Sequence, residues 1–293
     1  KHGVELLEIA KENNVNFLFE ASTGGGIPVI GSIIQSFAAN NILKVCGILN
    51  GTTNYILSKM ESEGVSFDEA LDQAKKLGYA ESDPSADILG LDSMRKISIL
   101  SSLCFGKQID LDLIKVKGIE NITIDDIKAA KLVCASVKLI GKTYIESGKI
   151  FIQVAPFAVM NSDPLANVND VYNAIKITGD MVGEIMLYGA GAGKLPTASA
   201  VVNDIVDCVK NFDKRIDIVW EKANDDLLLS SDEVKQKFLV YVDGNDDIKA
   251  AFKADEHFKT EKKLVFITDF MLIEEVENKL KELYTDKNNN TEP

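Results

Sequence analysis

Histidine is nearly absent from this chain: its 293 residues include only His2 and His257, one toward each end. A nucleophile–base–orienter set built on histidine has no central base to use, which argues against a histidine-dependent hydrolase. Cysteine is scarce and scattered. Cys46, Cys104, Cys134 and Cys208 form no C-x-x-C pair, so the pattern suits reduced, mostly buried thiols in a cytoplasmic protein better than a disulfide framework or a zinc site. Long apolar runs are missing too. The longest uncharged stretch, Ala21 to Leu43, carries Gly24-Gly25-Gly26, Pro28, Gln35, Asn40 and Asn41, too polar for a bilayer segment. Positive charge is outnumbered, 32 Lys and Arg against 45 Asp and Glu, the wrong balance for a phosphate backbone. Neither nucleic acid nor membrane is an expected partner.

What is present reads as a globular protein, with 46% apolar and 26% charged residues and room for two domains. The chain opens on Lys1-His2 without a Met, inside a charged amphipathic pattern and with no signal-peptide pattern. Such a start predicts a piece of a longer protein. A helix is expected over about 2–13, then a short strand at Asn16–Phe19, a glycine turn, and a helix from Pro28 to about Ala39. Leu43–Leu49 is strand-like, Asn50-Gly51 closes it as a turn, and Thr52 or Thr53 can cap the next helix. Ser66 and Glu69 form a capping-box signature, and LDSMRKISILSSLCF (91–105) reads as a largely buried helix. Four β-rich runs between about Lys131 and Tyr188 predict an α+β or α/β fold, a mixed β-sheet with helices on one face. One more helix follows over LPTASAVVNDIVDCVKNF. Residues 213–231 read as a linker. Beyond them KFLVYVDG, DDIKAAFKA, KKLVFITDF and LIEEVENKLKEL alternate strand and helix in a small α+β unit, and the tail DKNNNTEP is expected to be disordered.

Two glycine-rich stretches invite a nucleotide reading and fail it. GAGAGKLPT has Tyr188 and Leu195 where a phosphate loop needs Gly and Ser or Thr, and in STGGGIPVIG no Gly follows Gly26 at the fingerprint interval. The second can still turn sharply and expose carbonyls, which with Glu20 can hold a hard cation such as Na⁺; a plain strand-to-helix turn is the alternative. The stretch GYAESDPSADILGLDSMRK concentrates Glu81, Asp83, Asp87 and Asp92 ahead of Arg95 and Lys96. Its acids fall at the wrong intervals for an EF-hand. Asp92 and Lys96, four apart, share a helix face. As a surface pair they would contribute little. Their flanks, Ile88, Leu89, Leu91, Ile97, Ile99 and Leu100, instead suggest burial, where an acid and a lysine are costly unless they act.

EASTGGGIPVI, GILNGTTNYILSKM, GYAESDPSADILGLDSMRK and YGAGAGKLPTASAVVND, in that order, resemble the motifs of the homoserine dehydrogenase family, over about residues 1–212. The resemblance implies that 1–19 are the remnant of a Rossmann-like nucleotide-binding domain whose larger part precedes Lys1. It makes 20–212 a catalytic, substrate-binding and dimerisation domain, and 232–293 a small ACT-like regulatory unit. The implied reaction is NAD(P)H-dependent reduction of L-aspartate 4-semialdehyde to L-homoserine, in threonine, methionine and isoleucine biosynthesis. Lys96 would be the proton donor and acceptor on the substrate oxygen, Asp92 its partner, Glu81 the holder of the substrate ammonium, and Asp87 its support. Gly191 and Gly193 would lie near the nicotinamide of NADP or NAD. Glu20, Thr23, Gly25 and Ile27 match sodium-site positions. A homodimer is implied, with a tetramer as the alternative. Two rival readings stand beside this one: a non-catalytic dimerisation and effector-binding fragment of the same enzyme, and another semialdehyde or hydroxy-acid dehydrogenase.

Overall fold

A mixed seven-stranded sheet organises the computed structural model, which describes residues 2–243, 252, 257–259 and 263–289. The chain enters through α1 (Gly3–Glu12) and the short α2 (Val29–Gly31). Next come β1 (Ile42–Ile48), α3 (Gly51–Glu63), α4 (Phe67–Lys76), α5 (Ser85–Ile88) and α6 (Leu91–Phe105). After β2 (Lys107–Gln108), β3 (Lys115–Val116) and α7 (Ile124–Leu132), the sheet is filled by β4 (Ala135–Glu146), β5 (Lys149–Met160), β6 (Tyr172–Gly179) and β7 (Gly183–Ala190). Then α8 (Lys194–Lys210), β8 (Glu221–Lys222) and β9 (Leu228–Leu229) lead to a three-stranded sheet. That smaller sheet comprises β10 (Leu239–Asp243), β11 (His257–Lys259) and β12 (Lys263–Ile267), and α9 (Ile273–Asn289) follows it.

The large sheet runs β3-β5-β4-β1-β6-β7, with β9 added beside β5. Central β1 pairs antiparallel with both β4 and β6, which puts Ile48 opposite Ala174. Alternation divides its side chains between two faces. Val45, Val137, Leu139, Ile175 and Ile177 join Ile56, Leu57 and Met60 of α3 and Ile97 and Leu100 of α6 in the main core. On the other face Cys46, Ile48, Ile140 and Ala174 pack with Leu165 and Val168, beside partly buried Phe157, Val159 and Met186. Helices therefore cover one face. No helix among the described residues is long and apolar enough to cross a membrane.

Several local expectations are corrected. Asn16–Phe19 is not a strand; the Asn16 amide donates to the carbonyls of Asn211 and Lys214, both at 3.0 Å, and Phe19 packs edge-on to Trp220, so side chains rather than a ladder fix the segment. The helix expected over 28–39 is shorter, running from Val29 to Ser36, and α2 continues directly into a π-helix at Ser32–Ser36, where the Ser32 hydroxyl donates to the Pro28 carbonyl and loosens the repeat. Asn50, not Thr52 or Thr53, caps α3. The thiols are free, but only Cys46 is buried, and Cys134 is exposed in a left-handed turn position. Helix α9 continues to Asn289, into the tail expected to be disordered. The helix expected over DDIKAAFKA lies, Phe252 apart, outside the described residues. The Ser66–Glu69 capping box is present at the start of α4, and α6 has the predicted bounds.

Candidate active site

Asp92 stands in the first turn of α6 and Lys96 one turn on, so both project from one face of a helix whose opposite side is buried through Met94, Ile97 and Leu100. Their ion pair is 2.8 Å long, and both side chains are largely withdrawn from water, at 20% and 28% exposure. The lysine also donates to the carbonyl of Leu49, 3.1 Å away at the end of β1. An ammonium has three N–H donors. Two are engaged here, and the third is left for a ligand.

Asp87 arrives from α5, which the left-handed Gly90 joins to α6. Its carboxylate accepts from the amide nitrogen of Asn50 at 2.7 Å, and the same nitrogen donates to Asp92 at 2.9 Å. Burial raises the pKa of Asp87; the Asn50 hydrogen bond opposes the rise, Asp92 adds to it and Lys96 opposes it. Two carboxylates against one lysine give the cluster a surplus of negative charge, which suits a small cation or an amino group. Glu81 is placed differently. It is exposed and has no hydrogen-bond or ion-pair partner among the described residues, although Thr52 donates to the carbonyl of Tyr79, two residues before it, at 2.6 Å.

The remaining candidates form a second assembly. The Gly26 amide donates to the carbonyl of Ala190 at 3.0 Å, and a Cβ on Gly25 would fall 2.2 Å from the Gly191 oxygen. The TGGGI turn and the GAGAG loop are thus pressed backbone to backbone. Glu20 is buried beneath, accepting from the amides of Ile30 at 2.8 Å and Gly31 at 2.6 Å; burial raises its pKa, and those amides oppose the rise. Thr23 and Asn173 are fully buried here, and the Thr23 hydroxyl and both Asn173 amide atoms have no partner. The described residues contain no cluster of three His, Cys, Asp or Glu side chains fit to hold a metal. A cation at Glu20, Thr23, Gly25 and Ile27 would therefore rest chiefly on carbonyls. The strand register brings the two assemblies near each other, since Ala174, which follows Asn173, pairs with Ile48, which precedes Leu49.

A family model for homoserine dehydrogenase matches residues 28–206, more than half of the chain. The chain belongs to that family. The match takes in Asn50, Glu81, Asp87, Asp92, Lys96, Gly191 and Gly193, and it begins just after the TGGGI turn. The homoserine dehydrogenase of Synechocystis sp. is 46% identical over 213 residues, covering 71% of this chain and 49% of that protein. The chain thus spans about half the length of the curated relatives it matches. Among solved structures, a homoserine dehydrogenase from Thiobacillus denitrificans superposes with TM-score 0.88 at 30% identity, over 97% of this chain and 70% of that one. A hyperthermophilic archaeal homoserine dehydrogenase in complex with NADPH gives 0.60 at 32% identity, over 72% of this chain and 60% of that one.

Sequence reasoning missed Asn50, Thr52 and the Leu49 carbonyl. Asn50-Gly51 reads as a turn, and an Asn just before a helical run is equally an N-cap signal. The second reading would have pointed to the residue that meets both aspartates.

Proposed function

We propose that the protein carrying this chain is an NAD(P)-dependent homoserine dehydrogenase, which interconverts L-aspartate 4-semialdehyde and L-homoserine, and that this chain supplies its substrate-handling site. The observation that carries the reading is the half-buried Lys96, fixed between Asp92 and the Leu49 carbonyl with one donor to spare. Reducing an aldehyde builds negative charge on its oxygen, and a positioned acid must deliver a proton there. Lys96 is that acid, and it takes the proton back in the oxidative direction. Asp92 orients it. Glu81, at the exposed side, receives the substrate's ammonium, with Asp87 supporting it from the buried side.

NAD(P)H, when bound, supplies the hydride. The residues present fit the ring end of such a cofactor. Gly191 and Gly193 carry no side chains, and Gly191 lies over the buried, unpartnered Asn173 carboxamide, which leaves the loop backbone open to close approach by a ring that bears an amide. No G-x-G-x-x-G turn occurs in the sequence, so the pyrophosphate finds no such cradle in these residues. Na⁺ at Glu20, Thr23, Gly25 and Ile27 would stiffen the turn on which that loop rests.

We assign the assembly as a homodimer, with a tetramer as the alternative, the small C-terminal unit as ACT-like and regulatory, and the location as cytoplasmic. The half-buried Phe157, Val159 and Met186, on the sheet face opposite α3 and α6, support self-association. The test is NADPH oxidation that depends on aspartate semialdehyde, measured on the protein carrying this chain, together with calorimetric titration of the chain itself with L-homoserine. Turnover of shorter or phosphorylated semialdehydes in preference to aspartate semialdehyde would overturn the assignment.

A further inference from the structure

Asn50 does more than end a strand. Its side-chain oxygen accepts from the Thr53 amide at 2.9 Å and the Thr53 hydroxyl at 3.1 Å, which is the work of an N-cap. That contact settles which way the carboxamide faces, because only its oxygen can accept. The nitrogen is thereby turned to the acids, reaching Asp87 at 2.7 Å and Asp92 at 2.9 Å. A carboxamide nitrogen carries two N–H groups, and each has a carboxylate. Serine or threonine would cap the helix as well, but neither offers two donors at this reach. Capping alone therefore leaves half of this side chain unexplained.

We propose that Asn50 is a positioning residue: anchored on the start of α3, its carboxamide clamps Asp87 and Asp92 at a fixed spacing, so that Asp87 is preset beside the substrate's amino group while Asp92 holds Lys96. The proposal rests on the reading of this site as the homoserine site. Carboxylates brought together disfavour each other's ionised form unless a donor lies between them. The groups facing Asp87 are Asp92 and Lys96 from α6 and Asn50 and the Thr52 hydroxyl from the start of α3. Removing the amide takes away the hydrogen bond that opposes burial, and Asp87 then holds its proton to higher pH.

The experiment compares the intact chain with Asn50→Ser and Asn50→Thr, both able to cap α3. Aspartate carboxyl groups are titrated by NMR on ¹³C-aspartate-labelled protein, with Asp87→Asn assigning the signal, and L-homoserine affinity is measured across pH by calorimetry. Both variants are expected to melt near the parent, to titrate Asp87 at higher pH, and to bind homoserine about tenfold more weakly, the scale of one hydrogen bond to a charged group. The loss should grow as pH falls. An Asp87 titration identical in parent and variants overturns the clamp, whatever the affinities. If Asp87 moves as expected while the parent chain has no affinity for homoserine, the clamp stands and the assignment of the site is what fails.

Discussion

Gly191 lies directly on the side chain of Asn173: a Cβ built on the glycine would fall 2.1 Å from the asparagine's amide carbon. Asn173 is fully buried on β6. The loop that carries Gly191 therefore cannot hold its place with any larger residue there, unless the asparagine gives way.

That contact makes Gly191→Ala an overpacking substitution, expected to lower stability by about 1–3 kcal/mol in urea unfolding. Asn173→Ala by itself should be mild, because its amide atoms have no partner to lose. The double variant should recover most of the cost of Gly191→Ala, which a double-mutant cycle reads directly. Strict additivity of the two single effects would show that the steric relationship is wrong.

Lys96→Met keeps the helix and removes the proton. In the protein carrying this chain, turnover with aspartate semialdehyde should fall between about a hundredfold and ten-thousandfold, the usual contribution of a positioned acid, with an unchanged far-UV spectrum. Asp92→Asn should lower kcat by a smaller factor, since it leaves the lysine in place without its orienting charge. Wild-type rates in Lys96→Met would remove the lysine from the mechanism.

How much of this could be read from the residues depends on sequence distance. Helix α6 and its Asp92–Lys96 pair were legible because the apolar spacing and the four-residue interval are local, and the capping box at Ser66 and Glu69 is local as well. Asn50 was not, because its two carboxylates lie 37 and 42 residues further along the chain. The Gly191–Asn173 contact was hidden for the same reason. It exists only once β6 and β7 pair and the loop after β7 folds back. Asn16–Phe19 misled in the other direction, since an apolar run looks like a strand whether or not a ladder is there to receive it.

Two consecutive left-handed glycines, Gly24 and Gly25, shape the turn above buried Glu20. The Glu20 pKa is raised in the fold, so its ionised form costs stability above that pKa, and a cation on the nearby carbonyls would offset the cost. Replacing Na⁺ by tetramethylammonium at constant ionic strength should therefore lower Tm at neutral pH. At a concentration a hundredfold over Kd the stabilisation is about 2.7 kcal/mol. The effect should fade at acid pH, where Glu20 is protonated. Equal melting in both salts at neutral pH would leave the turn as a structural element only.

Lys138 offers a separate check on the fold itself. It is fully buried on β4, and its ammonium donates to the Val168 carbonyl at 2.7 Å, Asn169 at 2.9 Å and Asn54 at 3.4 Å. These partners are neutral, and burial brings its pKa down from 10.5 to about 8. Between those values the unfolded chain still binds the proton and the folded chain has released it, so stability rises with pH across this window and the gain is absent below it. The rise attributable to Lys138 is on the order of 3 kcal/mol. Lys142, also brought down to about 8 by burial, adds to the slope in both proteins when Lys138→Met is compared with its parent. The unfolding free energy of the parent relative to the variant should therefore rise from pH 8 upward, measured by urea denaturation at fixed ionic strength. Parallel curves would mean that the lysine stays charged inside the sheet, held by the three neutral oxygens alone.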